Sequence, residues 1–444
     1  MKTGNNKSAY KLIIYCGIFL FSHTIIAKDI TFSKKYEWNY DVNADVKVLL
    51  KNYDCDVIIE TSSTNKVRFA IQIDVESKDD EEINTLKNYL ESLSFSANEN
   101  MVSLETTFWE NLNSNNSVGR KVIKMKLKNG ESVKLSEFKI KASLQIPATT
   151  LLELSSKYSK IEMENVQNLK LDSYDDKIYG KSVVNEVDLS AKYSKLEFES
   201  FGPTIIDIYD CNFTAEKTAD LTIKSKYSDI NIGQTGNIKI EGYDDNLTFK
   251  NTGDIELQTK YSKIISNITG NLNVDIYDSD FEIEEIGNLT ISASKYSGYN
   301  FKSVKEVKIA TSYDDNFNFG SLTLFKTDHS KYSDFTISNL HTSFEIVDGY
   351  DDNVKISNTS GSFKFLSVNS KYGDIDLTTP DSLPLKIDWK TKYGKLNFDE
   401  SKLTTRIKIK ENSDFEYQGI KGVEKENMPY IIIRGYDIKM NLNN

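Results

Sequence analysis

The sequence is predicted to be all-β: a parallel β-solenoid, right-handed and β-helix-like, of about 14 coils with a period near 17 residues. Three observations lead there. Two tags alternate down the chain, the first pair being Lys157-Tyr158-Ser159 and Tyr174-Asp175-Asp176. The apolar residue opening the strand after each tag recurs at fixed spacing: Leu196, Phe213, Ile230, Leu247, Ile264 and Phe281 are each 17 apart. Between tags, apolar and polar residues alternate with period two and are broken by Gly and Asn, as in Leu247-Thr248-Phe249, Asn251-Thr252-Gly253, Ile255-Glu256-Leu257. Two such strands cannot bury an apolar face alone, so successive units must stack. A helical repeat of double this length is excluded by the strand-type alternation, and propeller blades need four strands per unit.

Residues 1–27 read as a secretory signal peptide. Lys2, Lys7 and Lys11 precede the apolar run Leu12 to Phe21, and Ala27 supplies the small residue for cleavage. That run is about half of the roughly 20 residues a spanning helix needs. Ile13-Ile14-Tyr15 before Cys16 lacks a lipobox's small residue, so lipidation is not expected. Removing three lysines and no acid takes the net charge from -11 to -14, which disfavours nucleic acid and anionic membrane surfaces as partners. Cys55 and Cys211 remain, too few for a disulfide scaffold, and are read as structural. No further apolar run of spanning length follows.

Residues 28–150 form the capping module. Ser77-Lys78-Asp79-Asp80 can cap a helix near 81–93 with Ile83, Leu86, Leu90 and Leu93 on one face. Val67 to Val75 alternates as a strand, Asn129-Gly130 joins a hairpin, and Phe138 to Ile146 forms a strand ending at Pro147. Tyr53-Asp54-Cys55-Asp56-Val57 resembles the second tag, which would place a first coil inside this module.

Residues 151–398 are the solenoid. Three residues before each strand opener stands a column reading Tyr158, Asp175, Tyr193, Asp210, Tyr227, Asp244, Tyr261, Asp278, and so on to Tyr372. The column before it reads Lys157, Tyr174, Lys192, Tyr209, Lys226, Tyr243, and continues likewise. A third column, Ser159, Asp176, Ser194, Cys211, Ser228, Asp245, Ser262, Ser279, follows less strictly. Stacked coils place aspartate on aspartate at about 4.8 Å, and interleaved tyrosine doubles that distance. Each carboxylate is then expected to take phenol donors above and below, and each lysine to lie between rings. These residues are read as a structural ladder. Calcium binding by Asp244-Asp245-Asn246 is the competing reading, set back by Lys177, Cys211 and Ser279 where oxygen ligands should recur. Stacking of sugars on the rings is a third. Residues 399–444, with strands over Pro429 to Ile433 and Ile438 to Met440, are expected to close and cap the end.

At Ile146-Pro147-Ala148-Thr149-Thr150-Leu151-Leu152-Glu153-Leu154-Ser155-Ser156-Lys157-Tyr158, and again at Lys371-Tyr372-Gly373-Asp374-Ile375, the chain resembles an adhesin family of the bacterial cell envelope, of the Bacteroidetes type, built on a β-strand repeat domain of unknown function. The resemblance covers nearly the whole mature chain. This sequence departs from it by having Ser for Gly in most Lys-Tyr tags and by its alternating Tyr-Asp tag. It implies an exported protein, placed in the periplasm, on the outer surface or secreted.

No catalytic residues, cofactor or metal ligands are assigned. His329 and His341 stand in less regular coils and are expected in solvated turns. There is no nucleophile elbow or phosphate loop, and residues 121 to 405 contain no arginine for a lyase-type site. Aspartates are numerous enough for a glycosidase pair, but their even repetition argues for a ladder. The expected role is a non-enzymatic, monomeric envelope scaffold presenting a solenoid face to a protein or glycan. The alternative is a carbohydrate-binding or polysaccharide-degrading β-helix protein.

Overall fold

The computed structural model describes residues 29–117 and 120–443. The expected signal peptide lies outside them. Among the described residues no helix is long and apolar enough to cross a membrane.

The chain forms a parallel β-solenoid of coils with two strands each. One row holds the strands before the tags (Leu151–Lys157, Asn168–Tyr174, Val187–Lys192), the other the strands after them (Lys160–Met163, Lys177–Val183, Lys195–Phe201). The strand openers are the register marks: Leu196 pairs with Phe213, Phe213 with Ile230, Ile230 with Leu247, Leu247 with Ile264 and Ile264 with Phe281. They point inward, and from Ile161 to Ile375 each is at most 3 % exposed. Alternation of period two is thus converted into two apolar rows facing one another across a narrow core. Beyond Phe281 the coils lengthen, and Phe281, Tyr299, Phe317 and Phe335 pair at intervals of 18. Their rings stack face to face, with centroids 4.5–5.1 Å apart and planes within 11°.

The N-terminal module has the expected helix, Asp80–Ser92, capped by Asp79, whose side chain accepts the Glu81 N–H, and burying Ile83, Leu86 and Leu90. It lies near the antiparallel strands Ile30–Asp41 and Lys66–Ser77. Trp109–Ser117, Arg120–Leu127 and Ser132–Leu135 form a separate antiparallel sheet.

Sequence order and spatial order part company at both ends. Lys47–Tyr53 and Asp56–Ser62 form a coil around the Tyr53-Asp54 tag. It is held between Leu151–Lys157 and Lys160–Met163 on one side and Met101–Glu105 and Glu137–Pro147 on the other. At the far end, Tyr430–Tyr436 pairs in parallel with both Phe365–Thr378 and Leu385–Lys392, and Lys439–Asn443 pairs with Phe365–Thr378 and Lys395–Asn397. The last coil in sequence therefore sits between the two that precede it. The hairpin Leu403–Glu411 and Asp414–Lys421 covers the outer edge of Leu385–Lys392 in antiparallel fashion. Residues 399–444, expected as one cap, divide into this hairpin and an inner coil.

Candidate binding face along the tag corner

Every tag is a left-handed corner. Tyr158, Asp175, Tyr193, Asp210, Tyr227, Asp244, Tyr261 and Asp278 all have φ between 49° and 60°, and the same column continues through Tyr296, Asp314, Tyr332, Asp351 and Tyr372. Asp54, Asp437 and Tyr393 extend it at the two ends. In space the order at the far end is Tyr372, Asp437, Tyr393. The alternation of Tyr and Asp is therefore unbroken over sixteen coils, although the sequence carries two successive Lys-Tyr tags at 372 and 393. A left-handed conformation is costly for a residue with a Cβ. From Asp54 to Tyr332 each such residue donates its N–H to a carbonyl of the adjoining coil, for example Tyr193 to Tyr209 at 3.0 Å and Asp244 to Lys260 at 2.8 Å; Asp437 does the same to Lys392 at 2.7 Å, and Tyr393 donates to Ser413 of the capping hairpin at 2.7 Å.

Two ladders follow from that corner, one facing outward and one inward. The outer ladder is a run of sixteen tyrosine rings, from Tyr53 and Tyr158 through Tyr174, Tyr193, Tyr209, Tyr227, Tyr243 and Tyr261 to Tyr372, Tyr436 and Tyr393. Successive rings meet edge to face, with centroids 5.2–5.8 Å apart and planes at 65–89°. The expected phenol–carboxylate bonds are absent among the described residues. The rings run into one another instead, and Asp175, Asp244 and Asp278 are left exposed. A lysine ammonium lies over a ring at Lys157, Lys295 and Lys331, but among the described residues Lys192 and Lys226 make no such contact.

The inner ladder is the third column. The left-handed corner turns the next N–H inward, where no strand receives it, and the side chain of the following coil accepts it. Cys55 N–H bonds to Ser159 Oγ, Ser159 to Asp176, Asp176 to Ser194, Ser194 to Cys211 Sγ, and Cys211 to Ser228, all within 2.8–3.4 Å. The run goes on through Asp245, Ser262, Ser279, Ser297, Asp315 and Ser333 to Asp352. The carboxylates here are buried. Burial pushes Asp176, Asp245 and Asp315 up, and Asp352 up to about 6, against the hydrogen bonds that hold them down. Asp176 accepts from Ser156, Ser173 and the Ser159 and Tyr174 N–H groups.

This geometry bears on the calcium reading. The two carboxylates of a tag diverge, Asp175 outward and Asp176 inward, so they do not converge on one ion. Among the described residues no group of three His, Cys, Asp or Glu is placed to hold a metal. Cys55 and Cys211 are free and buried, and burial, with Asp56 and Asp54 nearby, pushes the Cys55 thiol up to about 12. His329 and His341 lie on strands, not in turns. His329 Nδ1 is 3.2 Å from Asp348, and His341 Nε2 is 2.9 Å from Ser321 Oγ. Strand pairing runs straight through His329, while His341 sits at a shift of register between the Leu322–Leu340 and Leu324–Ser343 pairs.

Beside the tyrosine strip runs a trough of about 1250 Å³ crossing eight coils, from Ser190 to Tyr313. Its wall alternates Lys192, Tyr209, Lys226, Tyr243, Lys260 and Tyr277. Neighbouring lysines are in ion pairs, as Lys224 with Glu241 and Lys239 with Glu256, but among the described residues Lys192, Lys226 and Lys260 are in none. Sequence reasoning missed two parts of this face. One is the Tyr436-Asp437 coil, which the succession of two Lys-Tyr tags could have exposed. The other is the acceptor role of the third column.

No family model matches the sequence, and no curated protein matches it. A solved structure to which the protein is similar is the crystal structure of a "putative cell adhesion protein" from Clostridium sporogenes ATCC 15579. It is 8 % identical, over 93 % of this chain and 99 % of that chain, with a TM-score of 0.12, and at that score the likeness carries no argument about fold or function.

Proposed function

We propose that the protein is an exported, non-enzymatic scaffold of the cell envelope, an adhesin in the broad sense, that binds an extended protein or glycan along the tyrosine strip and its trough. The observation that carries this reading is the strip. Twelve of its rings are 36–60 % exposed, a continuous aromatic line on the surface of an otherwise charged molecule. Half-exposed rings offer their faces to the C–H groups of a sugar or of an amino-acid residue. The unpaired lysines recur at every second coil, about 9.6 Å apart by strand spacing. A linear polymer of similar repeat length meets the same pair of side groups at each step, so weak contacts multiply. Export rests on the charged and apolar pattern of residues 1–27.

The test uses residues 28–444, immobilised and exposed to solubilised envelope and polysaccharide from the source cell, beside a triple variant carrying Lys192→Gln, Lys226→Gln and Lys260→Gln. Retention of a protein or glycan by the native protein, and its loss in a variant that melts at the same temperature, is expected. Equal retention by both would move the binding face elsewhere. Release of new sugar ends from a retained glycan would instead make the protein an enzyme.

A further inference from the structure

The alternation of tags follows spatial neighbours and not sequence order. The two coils that sit out of sequence, 47–62 and 430–443, both carry the Tyr-Asp tag, and each lies against a Lys-Tyr coil. A pattern inherited only by duplication of adjacent repeats would alternate along the sequence. It fails to do so at 372 and 393, and the inserted coil restores it in space. We propose that the tags are a pairing code, and that the slot between Phe365–Thr378 and Leu385–Asn397 is a recognition site selective for a Tyr-Asp coil. The slot is filled here by residues 430–443 and is open to the same segment of a second copy of this protein.

The fit of the occupant shows what the slot reads. Tyr430–Tyr436 pairs through its length with Phe365–Lys371 on one side and with Lys386–Lys392 on the other. Ile431, Ile433, Ile438, Met440 and Leu442 are buried in the core. Arg434 reaches Asp388 at 2.5 Å, and Asn441 lies 2.6 Å from Asp376. Gly435, at φ 140°, lies where a Cβ would come within 1.7 Å of the Ser370 carbonyl oxygen. The tag itself sets the choice between coils. Tyr436 meets Tyr372 at 5.6 Å and 76°, and Tyr393 at 5.2 Å and 65°. A Lys-Tyr coil in its place would set a third lysine directly between Lys371 and Lys392 and align three rings at the same backbone position. Like charges at one strand spacing repel, and the edge-to-face contacts would be lost. Residues 422–427, which lead from the hairpin to the coil, are exposed throughout, so the segment hangs on an accessible tether. Exchange of such a tethered element between identical molecules needs no new interface.

The test uses the full-length protein with a specific protease site placed in 422–427. After cutting, the nicked protein is incubated with labelled peptide 428–443, which stands for the segment of a second copy, or with the same peptide carrying Tyr436→Lys and Asp437→Tyr. Entry of the native peptide with displacement of the resident segment, and competition about tenfold weaker or worse from the exchanged tag, is expected. Equal entry of both peptides would overturn the code. Entry of neither would overturn the slot as a site open to a second copy. An Asn443→Gln peptide, altered at an exposed position six residues past Asp437, should enter like the native one.

Discussion

Ser, Asp and Cys are interchangeable at the third tag position because the corner asks for an acceptor of one inward N–H, and each supplies one. Ser262 accepts from the Asp245 N–H at 3.1 Å and donates to the Lys260 carbonyl at 3.2 Å. Ser262→Ala strands that buried N–H and should cost about 1–3 kcal/mol in a denaturant or thermal melt. Ser262→Cys should cost far less, since Cys211 does the same work two ladder steps before Asp245. The carboxylates in this ladder carry a pH signature. Burial lifts Asp352 from 3.8 to about 6, so between those values the folded protein holds a proton that the unfolded one has released. Stability is therefore gained as pH falls from about 6 toward 3.8 and is lost as pH rises through 6, by roughly 3 kcal/mol at most for a shift of about two units. Asp352→Asn should accordingly compare best with the native protein at pH 7, keep about half of that advantage at pH 5 and lose it as pH nears 4, read from melting temperatures across the series. A gap between the two proteins that does not change with pH would show that Asp352 does not titrate in this range. From residue types alone this column looked the loosest of the three. It is hydrogen-bonded at every step because acceptor capacity, not residue identity, is what repeats.

At the scale of the coil, the one-residue offset of tyrosine between the two tags decides how rings meet. Inside the core, Phe281, Tyr299, Phe317 and Phe335 occupy the same position in successive coils and stack in parallel. At the corner, the ring leaves from the left-handed residue in one coil and from the residue before it in the next, and the planes stand near 80°. The ladder is thus held by ring edges, with the hydroxyls taking no part in it. Tyr243→Ala removes contacts with both Tyr227 and Tyr261 and should cost about 1–3 kcal/mol by thermal melting, whereas Tyr243→Phe should fall within about 0.5 kcal/mol of the native protein. A large loss for the phenylalanine variant would restore the phenol–carboxylate bonds that the sequence suggested. The coil was legible in sequence because burial of one face in two fixes the strand period and the spacing of the openers. The ring geometry was not, since it depends on a positive φ that tyrosine rarely adopts, and no residue-type rule announces it. The place of the Tyr436 coil escaped for a different reason. Repeat counting assumes that neighbours in sequence are neighbours in space, and residues 379–429 separate this coil from Phe365–Thr378, one of the two coils it lies between.

A solenoid of identical neighbours would fray from its ends, since each coil touches only the two beside it and the last touches one. This molecule avoids that by seating a coil out of sequence order at each end, 430–443 between 365–378 and 385–397, and 47–62 between segments of 101–147 and 151–163. Residues 430–436 are bonded along both edges, to 365–371 and 386–392. Among the described residues the strand Leu403–Glu411 is bonded along one edge only, to Asp414–Lys421, and it is largely exposed. Local opening costs least where backbone bonds are exposed and few apolar residues are buried. Amide hydrogen exchange should therefore run against sequence order. Amides of 430–436, close to the C-terminus, are expected to exchange slowly and together with those of 365–371, while amides of 403–411, farther from the terminus, exchange fast. At the other end the coil 47–62 should be protected with 151–163 and not with Ile30–Asp41, which pairs with Lys66–Ser77 in the capping module. Fast exchange of 430–436 would mean that the inserted coil opens on its own. The end of the rod would then be held by its hairpin alone.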